Sequence, residues 1–234
     1  MCGRYVSPDE AAMERHWRID HRTGNSFQHR YNVAPTTQVP VVRRSNDGDL
    51  ELCPARWGLI PPWWKQEKLP AMTFNARSEE ASGKPMWRAS YRQSRCLVPA
   101  AGWFEWQSRD ELDESRGELR SIKQPHYIYC EREPVIAFAG LWSLWRGPGM
   151  EPILSCAVLT KAAAPSISGI HDRMPVVLAT KDYAAWLSPD ESVESIGQML
   201  AHSHKDFTSH PVSTRVNNTR NDSPELIERI SGMF

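Results

Sequence analysis

Cys2 is the residue with the most unusual chemical prospects in this chain. A methionine followed by a small residue is normally trimmed, so the mature chain is expected to begin with cysteine. Such a terminus carries an α-amine and a thiol on adjacent carbons, with reference pKa values of about 7.7–8.0 and about 8.5. Both groups are then partly nucleophilic near neutral pH. Together they can attack one aldehyde carbon twice: the amine forms an imine, and the thiolate closes a five-membered thiazolidine ring. A cysteine elsewhere in the chain cannot do this. The competing reading of position 2 is a frayed tail, the common fate of termini. Gly3 and Arg4 weigh against it, because glycine permits close backbone approach and arginine can hold a phosphate.

Three further polar groups sit in unusual surroundings. Glu105 lies within Gly102-Trp103-Phe104-Glu105-Trp106, among aromatic residues. Desolvation there favours the neutral acid, which suits proton donation; the alternative is a strand residue facing water. His171 follows the Ser168-Gly169 loop and precedes an apolar run, at a loop-to-strand junction. It is either a proton shuttle or a structural histidine. Asn75 and Arg77 lie in Phe74-Asn75-Ala76-Arg77-Ser78, where an asparagine is either a turn residue or a site residue. Trp63 and Trp64 follow Pro61-Pro62. Adjacent side chains of an extended segment point to opposite sides, so at least one indole is expected at the surface. An exposed indole stacks on bases at about 1–3 kcal/mol per base; the alternative is an indole tucked over the domain.

These groups need elements to hold them. Ser7-Pro8-Asp9-Glu10 reads as a helix start with Ser7 as cap and Glu10 completing a capping box, and the helix runs to about Arg18. Residues 20–30 read as loop. Val39–Arg44 and Glu51–Trp57 read as strands joined by the turn Asn46-Asp47-Gly48. A helix is expected over Lys84–Gln93. Strands follow at Arg95–Val98, His126–Cys130, Val135–Leu141, Ile153–Leu159 and Met174–Leu178. Helices are expected near Lys181–Leu187 and Ser192–Ala201, with a short third from Pro224 capped by Ser223. Gln107–Pro125 holds nine charged residues in 19 and reads as a solvated hairpin tip or mobile loop. The sum is an α+β fold: a single domain over 1–234 on a curved, mainly antiparallel, barrel-like sheet with peripheral helices.

Composition narrows the function classes. The chain has 234 residues, with 28 basic and 28 acidic side chains. Zero net charge argues against coating nucleic acid by bulk charge, though not against a local groove. The first 106 residues carry +4 and the remainder −4. Arg outnumbers Lys by 21 to 7, which favours bidentate phosphate contacts. No apolar run approaches the ~18 residues that span a membrane. Five cysteines without a CxxC pair point away from a zinc site or disulfide framework and toward a reducing, cytoplasmic setting. No metal or cofactor is expected, and nothing requires more than a monomer.

Seven stretches, in order, carry a resemblance. They are Cys2-Gly3-Arg4-Tyr5, Arg30-Tyr31-Asn32-Val33-Ala34-Pro35, Trp57-Gly58-Leu59-Ile60-Pro61, Asn75-Ala76-Arg77-Ser78-Glu79, Gly102-Trp103-Phe104-Glu105-Trp106, His171-Asp172-Arg173-Met174-Pro175 and His210-Pro211-Val212-Ser213. The chain resembles the SOS-response-associated peptidase (SRAP) family, abasic-site processing proteins that crosslink to DNA. The resemblance implies a substrate, an abasic site in single-stranded DNA or at a single-strand–duplex junction, whose ring-opened sugar exposes an aldehyde. It implies a catalytic set of Cys2, Asn75, Glu105 and His171. Arg4, Arg77 and Arg173 become candidates for flanking phosphates and Trp63 or Trp64 for stacking, with Thr160 and Ser213 completing the candidate DNA contacts. The family's peptidase label is read as self-processing that exposes Cys2. Two other classes stay open at this level. An N-terminal-nucleophile amidohydrolase or glutamine amidotransferase also begins Met-Cys-Gly, and a non-catalytic DNA-binding module would have no use for Cys2.

Overall fold

The computed structural model describes residues 2–19, 27–113 and 118–230. Met1, most of the loop expected at 20–30 and the tip of the charged excursion lie outside these residues. The chain opens with β1 (Tyr5–Ser7), α1 (Glu10–Trp17), β2 (Arg30–Val33), β3 (Gln38–Arg44) and β4 (Leu50–Trp57). Next come β5 (Asn75–Arg77), α2 (Ser78–Ala81), α3 (Arg88–Gln93), β6 (Arg95–Ala100), β7 (Gly102–Asp113) and β8 (Glu118–Tyr129). It ends with β9 (Ile136–Trp145), β10 (Ile153–Ala162), β11 (Arg173–Pro175), β12 (Val177–Leu178), α4 (Tyr183–Leu187), α5 (Val193–Ala201) and β13 (Thr208–Pro211).

Two sheets organise these strands. β10, β4, β3, β6 and β9 pair in that order, and β9 pairs back to β10, closing a five-stranded barrel. Closure removes the exposed strand edges that an open sheet must protect. The second sheet is open, with order β13-β8-β7-β1-β2. The expected α+β architecture with a curved, mainly antiparallel sheet is therefore found, with two parallel pairs, β10–β4 and β10–β5.

Period-two alternation divides the barrel's side chains. On β6, Cys96, Val98 and Ala100 join the cluster that also holds Tyr5, Trp57, Trp103 and Phe138. Leu97 faces the other way, among Tyr91, Trp186 and Leu200 from the helices. The two sheets meet where Tyr5 packs edge-on against Trp57 and Phe138, with centroids 5.3 and 5.8 Å away. Gly102 makes the tight junction possible, since a Cβ there would meet the Ile128 carbonyl oxygen at 2.5 Å and the Tyr127 ring at 2.6 Å.

Several local expectations change. The helix expected over Lys84–Gln93 forms only over Arg88–Gln93, and the short third helix from Pro224 is a 3-10 turn that Ser223 does not cap with its side chain. Asp9, not Ser7, caps α1: its side chain accepts the Ala12 N–H at 2.8 Å, a contact worth about 1 kcal/mol. Ser7 is instead the last residue of β1 and is buried. The Gln107–Pro125 excursion is not a loop for most of its length. The β7–β8 ladder continues from Trp103↔Ile128 to Asp113↔Glu118, a twelve-residue strand on each side.

Candidate active site

Cys2 enters the site from the start of β1. That strand lies between β2 and β7, with Tyr5 opposite Val33 on one side and Trp103 on the other. Cys2 is fully buried in the apolar cluster with Tyr5, Trp57 and Trp103. Burial pushes its thiol well above the ordinary value, and the nearby Glu105 carboxyl adds to that. The thiol as placed is therefore neutral, not the partial thiolate expected of a solvated terminus. The frayed-tail reading does not describe it either.

Asn75 reaches Cys2 from the barrel. β5 runs parallel to β10, with Asn75 in register with Val158. Its Nδ2 donates to the Cys2 carbonyl at 2.7 Å. Its Oδ1 is buried and accepts no hydrogen bond among the described residues. One end of the amide thus fixes the backbone of Cys2, and the other is open to a donor.

Glu105 sits on β7, only 2% exposed. Its strand neighbours Trp103 and Phe104 are fully buried, which strips water from the carboxyl. Burial raises its pKa to about 8, so the group is a carboxylic acid at neutral pH. The reading in which it faces water is ruled out. His171 stands with Nε2 3.9 Å from Glu105 Oε2. The Arg173 backbone N–H donates to its Nδ1 at 3.0 Å, and the Asp172 carboxylate is also 3.0 Å from that nitrogen. Partial burial lowers the imidazole's pKa. An acid that keeps its proton beside a base that tends to stay neutral is an arrangement suited to proton transfer.

A cavity of about 470 Å³ opens beside this group, lined by Arg4, Glu105, Trp106, Lys123, His171 and Asn217. Arg4 is built into its wall, donating to Asn32 Oδ1 at 3.1 Å and to the Val216 and Asn217 carbonyls at 2.7 and 3.3 Å. The Trp106 indole donates to Asn217 Oδ1 at 2.7 Å. Trp106, Lys123 and Asn217 were not singled out from sequence. Trp106 ends a motif that was; Lys123 and Asn217 reach the cavity through long-range pairing that no local pattern announces.

The other expected contacts separate into groups. Arg77 is exposed at the end of β5, 3.7 Å from Glu80. Trp63 is 52% exposed, while Trp64 is half-buried; its indole donates to the Lys68 carbonyl and its backbone carbonyl accepts from the Trp145 indole. Ser213 accepts from the Arg215 N–H at the start of a 3-10 turn. Arg173 holds Glu79 with two bonds of 2.8 and 2.9 Å and also donates to the Thr160 carbonyl at 2.7 Å. Thr160 is 1% exposed, so its side chain supports Arg173 instead of lining the surface. Among the described residues no cluster of His, Cys, Asp or Glu is arranged to hold a metal.

Comparison with known proteins covers nearly the whole chain. The family model for SOS response associated peptidase (SRAP) matches residues 1–219. The abasic site processing protein YoqW of Bacillus subtilis is 35% identical over 234 residues, covering 97% of this chain and 99% of its own. The abasic site processing protein HMCES of Xenopus tropicalis is 31% identical, covering 98% of this chain and 78% of its own. The Escherichia coli abasic site processing protein YedK is 32% identical over 206 residues, covering 86% of this chain and 85% of its own. A solved protein from Bacteroides thetaiotaomicron shares the fold, with a TM-score of 0.80 at 23% identity over 98% of this chain and all of its own.

Proposed function

The chain belongs to the SRAP family, and from that premise we propose that it captures abasic sites in single-stranded DNA as a covalent thiazolidine on Cys2. Relatives named as abasic site processing proteins support a role in handling such sites. The observation that carries the finer reading is the pairing of Cys2 with a protonated buried acid. Asn75 holds the Cys2 carbonyl, and Glu105 keeps its proton up to about pH 8 a short way from it.

Removal of Met1 frees the α-amine of Cys2, and the open Asn75 Oδ1 accepts one of its N–H bonds. The amine nitrogen attacks C1′ of the ring-opened sugar. The resulting carbinolamine loses its oxygen as water, with Glu105 supplying the proton and taking one back from the nitrogen as the neutral imine forms. The Cys2 S–H then adds across the C=N bond, sulfur to carbon and proton to nitrogen. One water is released overall. A neutral thiol suits this addition because it brings the proton that nitrogen needs. His171 acts as acid or base on the sugar hydroxyl, and by microscopic reversibility can help undo the ring.

The single-strand preference rests on exposed Trp63 and Arg77, one offering a face to a base and the other a cation to a phosphate. The direct test is incubation with abasic single-stranded DNA followed by a denaturing gel. Wild type should give a denaturant-stable adduct without reductant. Full activity in protein whose intact mass retains Met1 would remove the aminothiol step. Glutamine hydrolysis without adduct would move the reading to an amidohydrolase, and equal capture from intact duplex would contradict the strand preference.

A further inference from the structure

A second, larger cavity lies at the end of β10 and shares no lining residue with the first. It measures about 630 Å³ and is lined by, among others, Glu79, Tyr91, Lys161, Pro165, Leu200 and Lys205. Its walls are built from the end of β10, the residues that follow it, α2 and α5. The run Ala162-Ala163-Ala164 keeps one wall smooth and apolar. Two cations face it. Lys161 is half-buried and donates to Ser203 Oγ. Lys205 is exposed and close enough that its charge, after burial, helps to hold the Lys161 ammonium below its ordinary pKa. Glu79, the carboxylate on the rim, is already neutralised by Arg173. The cavity therefore presents two like charges beside an apolar wall, and Glu79, the acidic residue in its lining, is already engaged by Arg173.

Its position ties it to the active site. Ala162 pairs with Arg173 and Lys161 with Met174 across β10–β11. Arg173 bonds His171 through its backbone and Glu79 through its guanidinium, so a single residue joins the two cavities. Ser78, next to the exposed Arg77, lines the second cavity.

We propose that this cavity is an extension groove for the DNA strand, in which Lys161 and Lys205 take backbone phosphates beyond the lesion while the alanine wall and Leu200 pack against sugars. The proposal rests on the DNA reading of the first cavity and names where the strand goes next. Two lysines in one cavity complement anionic phosphates, and the apolar wall matches deoxyribose, which has little to hydrogen-bond. Bases need not be read there, so the groove adds affinity without sequence preference.

The experiment compares three abasic single-stranded oligonucleotides, one ending a nucleotide from the lesion on each side and two extended by several nucleotides, one on each side. The readout is the ratio of their dissociation constants, measured with the tetrahydrofuran abasic analogue, which has no aldehyde and cannot form the imine, at several salt concentrations for wild type, Lys205→Gln and Lys161→Gln/Lys205→Gln. Wild type should gain affinity on extension from one side. The double variant should lose that gain, and its salt slope on the extended strand should fall by about 1.4, at about 0.7 per single-strand phosphate contact. Lys205→Gln, at an exposed position, should show about half the loss, which keeps the test decisive if the Lys161 change perturbs folding. The same length-dependent gain and the same slope in all three proteins would overturn the groove. If wild type fails to capture even the short oligonucleotide in its aldehyde form, the DNA reading of the first cavity falls with it. If it captures that strand but gains nothing from extension of the analogue, only the groove falls.

Discussion

Cys156 and Cys2 occupy one apolar cluster and share one property, a fully buried thiol held neutral by loss of water. Cys156 lies in the middle of a barrel strand, paired on one side with Trp142 and on the other with Trp57. Its backbone is consumed by ladders. Cys2 lies just ahead of β1, where the open sheet meets the barrel, and its carbonyl is held by the side chain of Asn75. Burial alone makes a thiol inert. The difference between the two regions is that at Cys2 the open sheet brings a buried acid on β7, while the short strands added to β10 bring a carboxamide and a histidine; Cys156 is ladder-bonded on both sides within the barrel wall.

The sharpest way to break that comparison is to exchange the roles of the two cysteines. Cys2→Ala should lose the stable adduct entirely, whereas Cys156→Ala should keep it and cost about 1 kcal/mol of stability. In Cys2→Ser the amine remains. A transient imine should drift toward β-elimination, so strand cleavage rises as stable adduct disappears from the gel. A stable adduct from Cys2→Ala without reductant would place the nucleophile elsewhere.

Glu105→Gln keeps the shape and removes the acid, and should slow adduct formation by about 10²–10⁴-fold in single-turnover measurements. In wild type the same rate should decline as pH rises through about 8, where Glu105 gives up its proton. The sign for stability runs the other way. An acid whose folded pKa is raised destabilises the fold progressively from its unfolded pKa, about 4.3, up to its folded one. Glu105→Gln should therefore be more stable than wild type near pH 7, by about 4 kcal/mol at most, with the gap closing below pH 4. Unfolding midpoints at pH 4 and pH 7 check this, and a variant less stable at pH 7 would contradict it.

Smaller effects belong to the surface. Trp63→Ala should cost about 1–3 kcal/mol of binding to single strands. Arg77→Ala should lower the salt slope by about 0.7 with little change in the chemical step at saturation. His171→Ala should slow formation or reversal and leave DNA affinity in place, as an equilibrium titration would reveal.

The candidate site was legible in part: Cys2 and Glu105 sit in local contexts that are chemically odd, while Asn75 and His171 were ambiguous in isolation and joined the set through the resemblance. The sequence could not make their meeting visible. Asn75 lies 73 residues from Cys2 and bonds its carbonyl only because β5 runs beside β10. Asn217 lies 111 residues from the Trp106 indole it accepts from. The charged run after Gln107 concealed a strand because neither face of the outer hairpin carries the apolar alternation that marks one. Thr160 shows the limit of resemblance. It supplies a residue's identity, while only packing reveals that this side chain is sealed beneath Arg173.

The position of β1 sets a clock. Its two partners are β2 and β7, and β7 begins at Gly102. The first strand is therefore completed by a segment synthesised about a hundred residues later, which at roughly 5–20 residues per second is roughly 5–20 s of translation. Until then the pocket around Cys2 has no floor. Trimming ahead of Cys2, which the proposed chemistry requires, has that interval in which to act on an open chain end, before Trp103 and Glu105 arrive and close over it.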